Sequence, residues 1–205
     1  MRVCKRRYHT ELLRLNLAAR MVEHEARTET IRRWSGVSEQ RVRDLYRSFR
    51  ANSEMHTVRH RGPAPRKPGI FLKTPQLRTE AVALAALCYA LGLLAPRTTS
   101  VTRRELEAIH QGELLCRIYE IYRRLVGASE LTLDHTALLV TALSQGTELR
   151  MGHCTYCGDA ILFDPCADRH GAWRDCCGGG QSKRPTSASS IVSAQAERPI
   201  QQNLF

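Results

Sequence analysis

Five of the eight cysteines in this chain fall between Cys154 and Cys177, with His153 and His170 beside them. Cys154-Thr155-Tyr156-Cys157-Gly158 is a C-x2-C-G knuckle. Two thiolates separated by two residues can face one cation, and a glycine behind them lets the backbone turn sharply. Cys176 and Cys177 follow after 18 intervening residues and lead into three glycines. Knuckles that far apart have zinc-ribbon spacing. A second complete pair would put a thiolate at position 179, which is glycine here. The spacing makes Cys154, Cys157 and Cys176 three ligands of one zinc per chain. The fourth ligand is Cys177 or Cys166, with His170 third in line.

Other chemistry fits this cluster less well. A redox C-x-x-C opens a helix beside a sheet. This one follows a long helical pattern, and no βαβ pattern is present. A catalytic zinc needs an open coordination position and a nearby acid or base. Asp159, Asp164 and Glu148 are available, but there is no H-E-x-x-H motif. A disulfide staple requires an oxidising compartment, and the N-terminus argues against secretion. Its apolar run is broken by Arg14, Asn16 and Arg20, which a signal sequence does not tolerate. A closed structural site remains. About 25 residues cannot build a hydrophobic core of their own, and a metal can take its place. The expected compartment is the cytoplasm, and the expected protein is not an enzyme.

The elements that must carry this module are helical. The chain has 205 residues and a formal net charge of +11. Residues 1–78 hold 19 Lys+Arg against 7 Asp+Glu, whereas residues 79–205 hold 12 against 13. Arginine supplies 27 of the 31 cations. Arginine grips phosphates and guanine edges with two hydrogen bonds at once, so an arginine-rich half points to a polyanionic partner. Ala81–Ala95 is uncharged over 15 residues. A membrane span needs about 20, so this reads as a buried or interface helix.

Leu12, Leu15, Ala19, Val22 and Ala26 recur at helical spacing and predict a first helix from about Thr10 to His24. The run TIRRWSGVSEQRVRDLYRSFR then gives a short helix ending at Trp34-Ser35, a turn at Gly36 and a second helix started by Ser38. Val42, Leu45, Tyr46 and Phe49 share one face of that second helix, and Arg43, Arg47 and Arg50 share the other. A helix, a short glycine turn and a helix with a basic outer face make a helix-turn-helix pattern. A plain helical hairpin with a solvated arginine face has the same pattern. The candidate DNA contacts are Arg41, Arg43, Arg47 and Arg50, with Arg66 and Lys67 in the Pro/Gly-rich segment that follows. That segment, 51–78, is expected to be an extended basic linker. Three helices follow, over Thr79–Leu94, Arg103–Val126 and Thr132–Leu149. The middle one should bury Leu106, Ile109, Leu114, Ile118, Ile121, Tyr122 and Leu125. The organisation is therefore N-terminal helices (1–50), linker (51–78), helical core (79–150), zinc module (151–180) and a Ser/Gln/Ala-rich tail expected to be disordered (181–205). The fold class is mostly α.

Several stretches resemble FlhC, a subunit of the bacterial flagellar master transcription activator. LNLAARMVEHEARTETIRRWSGVSEQRVRDLYRSF resembles its N-terminal helices. RGPAPRKPGIF resembles its Pro/Gly segment, CRIYEIY its central helix, and LTLDHTALLVTALSQGTELRMGHCTYCG the helix that runs into its cysteines. The resemblance covers about residues 11–177. It implies a mostly helical fold and a Cys4 zinc site, with both pairs C-x2-C; the fourth family position falls on Gly179. It also implies assembly with an FlhD-type subunit into a heterohexamer that binds flagellar promoter DNA and recruits RNA polymerase, without a membrane. A second reading of the same residues is a zinc-ribbon interaction module whose basic half binds RNA or ribosomes. An enzyme using the cysteines for thiol or metal chemistry is the third.

Overall fold

The computed structural model describes residues 2–52, 59–60, 62–94, 104–154 and 157–166, with backbone alone at 2–6, 52, 104 and 105. Within them the chain is mostly helical. The elements are α1 (Arg2–Glu23), α2 (Thr28–Ser35), α3 (Glu39–Asn52), a 3₁₀ turn (Pro68–Leu72), α4 (Pro75–Ala90), α5 (Arg104–Val126), α6 (Leu133–Gln145), β1 (Arg150–His153) and β2 (Ala160–Phe163). Among the described residues no helix is long and apolar enough to cross a membrane.

α5 is the central element, packed against α1, α2, α4 and α6. It buries Ile109, Leu115, Cys116, Ile118, Tyr119 and Tyr122, while Leu106 and Leu125 stay exposed. The expected single stripe is thus corrected to burial on more than one side, because helices flank α5 on several faces. A similar correction applies to α1. Its buried residues are Leu17, Ala18, Met21 and Val22, and Leu12 is exposed. The cause lies on α5. A Cβ at Gly112 would come within 2.4 Å of Leu17 Cδ2, so the bare glycine is the notch that admits Leu17 and sets the rotation of α1.

Thr74 caps α4 by accepting the Leu77 N–H at 3.1 Å, and Pro75 takes the first helical position. Proline suits that position because its missing N–H has no intrahelical partner there. α4 therefore starts four residues before the expected Thr79 and ends at Ala90 rather than Leu94. The linker is not extended throughout. Its two ends belong to α3 and α4, and Pro68–Leu72 forms the 3₁₀ turn, with Pro68 and Phe71 buried. α6 is shorter than expected, ending at Gly146 in the left-handed region (φ 65°). β1 and β2 form one antiparallel hairpin, with Arg150 opposite Phe163 and His153 opposite Ala160. The hairpin rests on α4 and α6. The expected tail, 181–205, lies outside the described residues.

Candidate metal knuckle and candidate nucleic-acid interface

The cysteine knuckle is the tip of the β1–β2 hairpin. The Cys154 N–H donates to the Asp159 carbonyl at 2.8 Å, which continues the ladder past His153, and the Gly158 N–H returns to the Cys154 carbonyl at 3.0 Å. Gly158 adopts φ 77°, a left-handed conformation that a side chain disfavours. The His153 ring Nδ1 sits 3.1 Å from the Gly158 carbonyl. Cys154 is buried and Cys157 exposed. The Cys157 thiol donates to Asp159 Oδ2 at 3.2 Å. Two thiols two residues apart with a glycine behind them are the donor types that half of a tetrathiolate zinc site uses.

Cys166 is exposed, and its thiol lies 3.7 Å from the Thr147 carbonyl just beyond α6. Cys176, Cys177 and His170 lie outside the described residues. Among the described residues no three His, Cys, Asp or Glu side chains come together as a metal-holding group. The other two described thiols, Cys88 and Cys116, are buried in the helical core, and burial pushes both up to about 12. They are core side chains and take no part in the knuckle.

The second candidate site is built from α2 and α3. Gly36 ends α2 at φ 72°, its N–H bonded to the Arg32 carbonyl at 3.0 Å. The Ser35 hydroxyl accepts the Val37 N–H at 3.2 Å. Two residues later α3 begins at Glu39. Val42 and Tyr46 are buried, Leu45 and Phe49 partly so. The Tyr46 hydroxyl donates to the Ala26 carbonyl and fastens α3 to the α1–α2 turn. The outer face is exposed at Arg41, Arg43, Arg47 and Arg50.

The chain matches no family model and no curated protein.

Most of the candidate cations have carboxylate neighbours that the sequence reading passed over. Arg41 lies 3.5 Å from Glu11 on α1, and Arg47 lies 3.0 Å from Asp44. Arg43 pairs with Glu39 one turn back. Arg66 lies 3.3 Å from Glu29 on α2. Arg50 and Lys67 are exposed. The Glu39/Arg43 and Asp44/Arg47 spacings were legible as i,i+4 and i,i+3 pairs; the Glu11 and Glu29 partners are tertiary.

Sequence reasoning also missed the segment that follows α3. Residues 59–60 and 62–66 form a strap against α2 and the α1–α2 turn. The Arg59 guanidinium sits 5.8 Å over the Tyr46 ring and donates to Thr28 Oγ1 at 3.4 Å. His60 Nε2 is 3.2 Å from Glu25. Arg27 donates to the Pro63 carbonyl at 2.9 Å.

Two polar networks lock the helices beneath these sites. Arg20 on α1 donates to both oxygens of Glu120 on α5, at 2.9 and 2.8 Å, and also reaches Glu113. His24 Nε2 lies 2.8 Å from Glu120. The hydrogen bonds from Arg20 hold the Glu120 carboxyl below the usual carboxylate range, against the opposing effect of burial. On the other side of α5, buried Glu80 accepts from Gln76 (2.9 Å), Tyr122 (2.8 Å) and Ser129 (2.5 Å). Burial alone would raise Glu80, but these three donors outweigh it and hold the carboxyl below its ordinary range.

Proposed function

We propose that this chain is a DNA-binding subunit of a transcription activator of the FlhC kind, with a structural zinc in its C-terminal module. The observation that carries the reading is the α2–Gly36–α3 unit. One face of α3 is pinned to the core by Val42 and Tyr46, and the opposite face projects Arg41, Arg43, Arg47 and Arg50 into solvent. A unit of this kind places its second helix in a major groove, where phosphates and base edges would take the arginines from their carboxylate neighbours. The segregation of positive charge into residues 1–78 supports the same reading. The C-x2-C-G spacing of Cys154 and Cys157 at the end of the hairpin supports zinc, with Cys176 and either Cys177 or Cys166 completing the set. A bound zinc would cross-link the hairpin to the segment that follows it. It would have no catalytic role.

An FlhD-type subunit, promoter DNA of flagellar operons and RNA polymerase are the partners of this reading. Tyr89 and Leu91 are exposed at the end of apolar α4, which supports a helix that meets a second chain. On this reading the isolated chain self-associates, and a concentration-independent monomer by sedimentation would count against the partner.

The deciding experiment is binding across a salt series to a flagellar-type promoter duplex, a scrambled duplex and a single-stranded RNA of equal length, with the partner subunit present. Preference for the promoter duplex is expected. Equal or tighter binding to RNA would replace this reading with the RNA-binding one.

A further inference from the structure

The strap does not lie flush on α2. A cleft of ≈ 680 Å³ separates them, lined by Thr28, Glu29, Arg32 and Glu39 from the helices and by Arg59, His60, Gly62 and Arg66 from the strap. Three guanidinium groups and an imidazole thus share one cleft with two carboxylates, and both carboxylates are engaged. Glu29 takes Arg66 on its two oxygens, each at 3.3 Å, and Glu39 accepts from Arg43. Among the described residues neither Arg32 nor Arg59 has a carboxylate within ion-pair distance. The uncompensated positive charge therefore gathers in the cleft more than along α3, where Arg41, Arg43 and Arg47 each have an acidic neighbour. Like charges brought together between two walls attract an anion and focus its field.

Arg59 is also held ready. The Tyr46 ring beneath it and the Thr28 hydroxyl beside it fix a side chain that would otherwise lose rotamer freedom on binding. Tyr46 is in turn anchored by its bond to the Ala26 carbonyl. The pair formed by Arg66 and Glu29 is exposed, so a phosphate can displace Glu29 from it at little loss.

We propose that this cleft is a phosphate seat, and that its ligand is a phosphodiester of a duplex DNA backbone; the choice of ligand rests on the DNA-binding reading above. Arg32 and Arg59 take the phosphate oxygens in charge-assisted hydrogen bonds, and Arg66 turns from Glu29 to join them. Bonds of this kind set register and orientation and read no bases. They would hold the α2–α3 unit on the duplex while the outer face of α3 meets the groove.

The test uses the full-length protein and two probes. One is inorganic triphosphate, titrated calorimetrically at low salt. The other is a random-sequence duplex, followed by fluorescence anisotropy across a salt series. Arg32→Gln and Arg59→Gln should each weaken triphosphate binding about tenfold. Each should also flatten the logarithmic salt dependence of duplex binding by about 0.9 for every phosphate that is no longer neutralised. Arg32→Lys should keep most of the binding. Arg124→Gln, which removes an exposed cation from the last turn of α5, should change neither. Because Arg59 packs on Tyr46, circular dichroism and the thermal midpoint report whether that variant folds; Arg32 is exposed and carries the test on its own if Arg59→Gln does not. Wild-type protein that ignores triphosphate, or an Arg32→Gln variant that binds it as wild type does, overturns the seat. Duplex binding that survives in the cleft variants but fails in Arg43→Gln removes the seat and leaves the DNA reading standing. Triphosphate held by the cleft without any duplex binding keeps the seat and removes its duplex ligand.

Discussion

At the scale of single residues, Glu80 lies outside both candidate sites and joins α4 to α5. It is buried at 8 % exposure and accepts three hydrogen bonds, from Gln76, Tyr122 and Ser129. Glu80→Ala should cost about 1–3 kcal/mol, because it strands donors that the carboxylate satisfies in the buried site; urea denaturation measures it. The pH dependence follows from the sign of the shift. The folded carboxyl titrates below the ordinary value of 4.5. Its stabilisation is therefore complete above that value and is lost as the pH falls through the lowered folded value. Glu80→Gln should flatten the acid limb of stability, as seen in thermal midpoints from neutral pH downward. An unchanged acid limb would mean that another carboxylate, such as Glu120, sets it. Cys154 is the corresponding residue for the metal proposal. Cys154→Ser should abolish zinc in elemental analysis and expose the C-terminal module to protease, since metal binding there is folding free energy. Zinc-free wild-type protein, purified without chelator, would refute it.

At the scale of elements, the parts readable from sequence were those specified by neighbours. The end of α2, the Gly36 turn and the buried face of α3 each rest on signals within four residues, and the structure has them at the expected positions. The start of α4 was equally local, in Thr74-Pro75, but the apolar run beyond it is the stronger signal and masks it. The face of α1 was not local. It depends on a glycine 95 positions later, Gly112 against Leu17, and no period within α1 reports that. The two networks around Glu80 and Arg20 pair residues 42 and 100 positions apart, which places them beyond any spacing rule. Gly112→Ala is the test of the notch. Alanine favours a helix by about 1 kcal/mol over glycine, but overpacking costs about 1–3 kcal/mol. Leu17 is fully buried and has no solvent to swing into. Net destabilisation of about 1 kcal/mol is expected, and Leu17→Ala in the same chain should relieve the clash in a double-mutant cycle. Additive effects would show that α1 and α5 do not meet there.

α3 offers a prediction at the same scale. Glu39 lies in its first turn and neutralises Arg43. On the DNA-binding reading, Glu39→Gln should tighten duplex binding about two- to fivefold at low salt by freeing that arginine. It should also loosen the helix by about 0.3–1 kcal/mol, because an acid at the N-terminus complements the helix dipole. Anisotropy and thermal melting read the two effects separately. Weaker binding would mean that Glu39 positions Arg43 and does not mask it.

Taken whole, the molecule ties its N-terminal helices to its middle. The Arg27 N–H donates to the buried Asp134 carboxylate at 3.0 Å across 107 positions, and Arg20 reaches Glu120 across 100. These links have a consequence for synthesis. A chain emerging from the ribosome at about 5–20 residues per second makes α1 and α2 roughly 5–20 seconds before the last of their partners exists. For most of that interval the arginine-rich segment has neither Glu113 nor Glu120, and until its end no Asp134, to hold it. It emerges beside the ribosome's own RNA with 19 Lys+Arg against 7 Asp+Glu over residues 1–78, and its ties to α5 and α6 close only when those helices have left the exit tunnel.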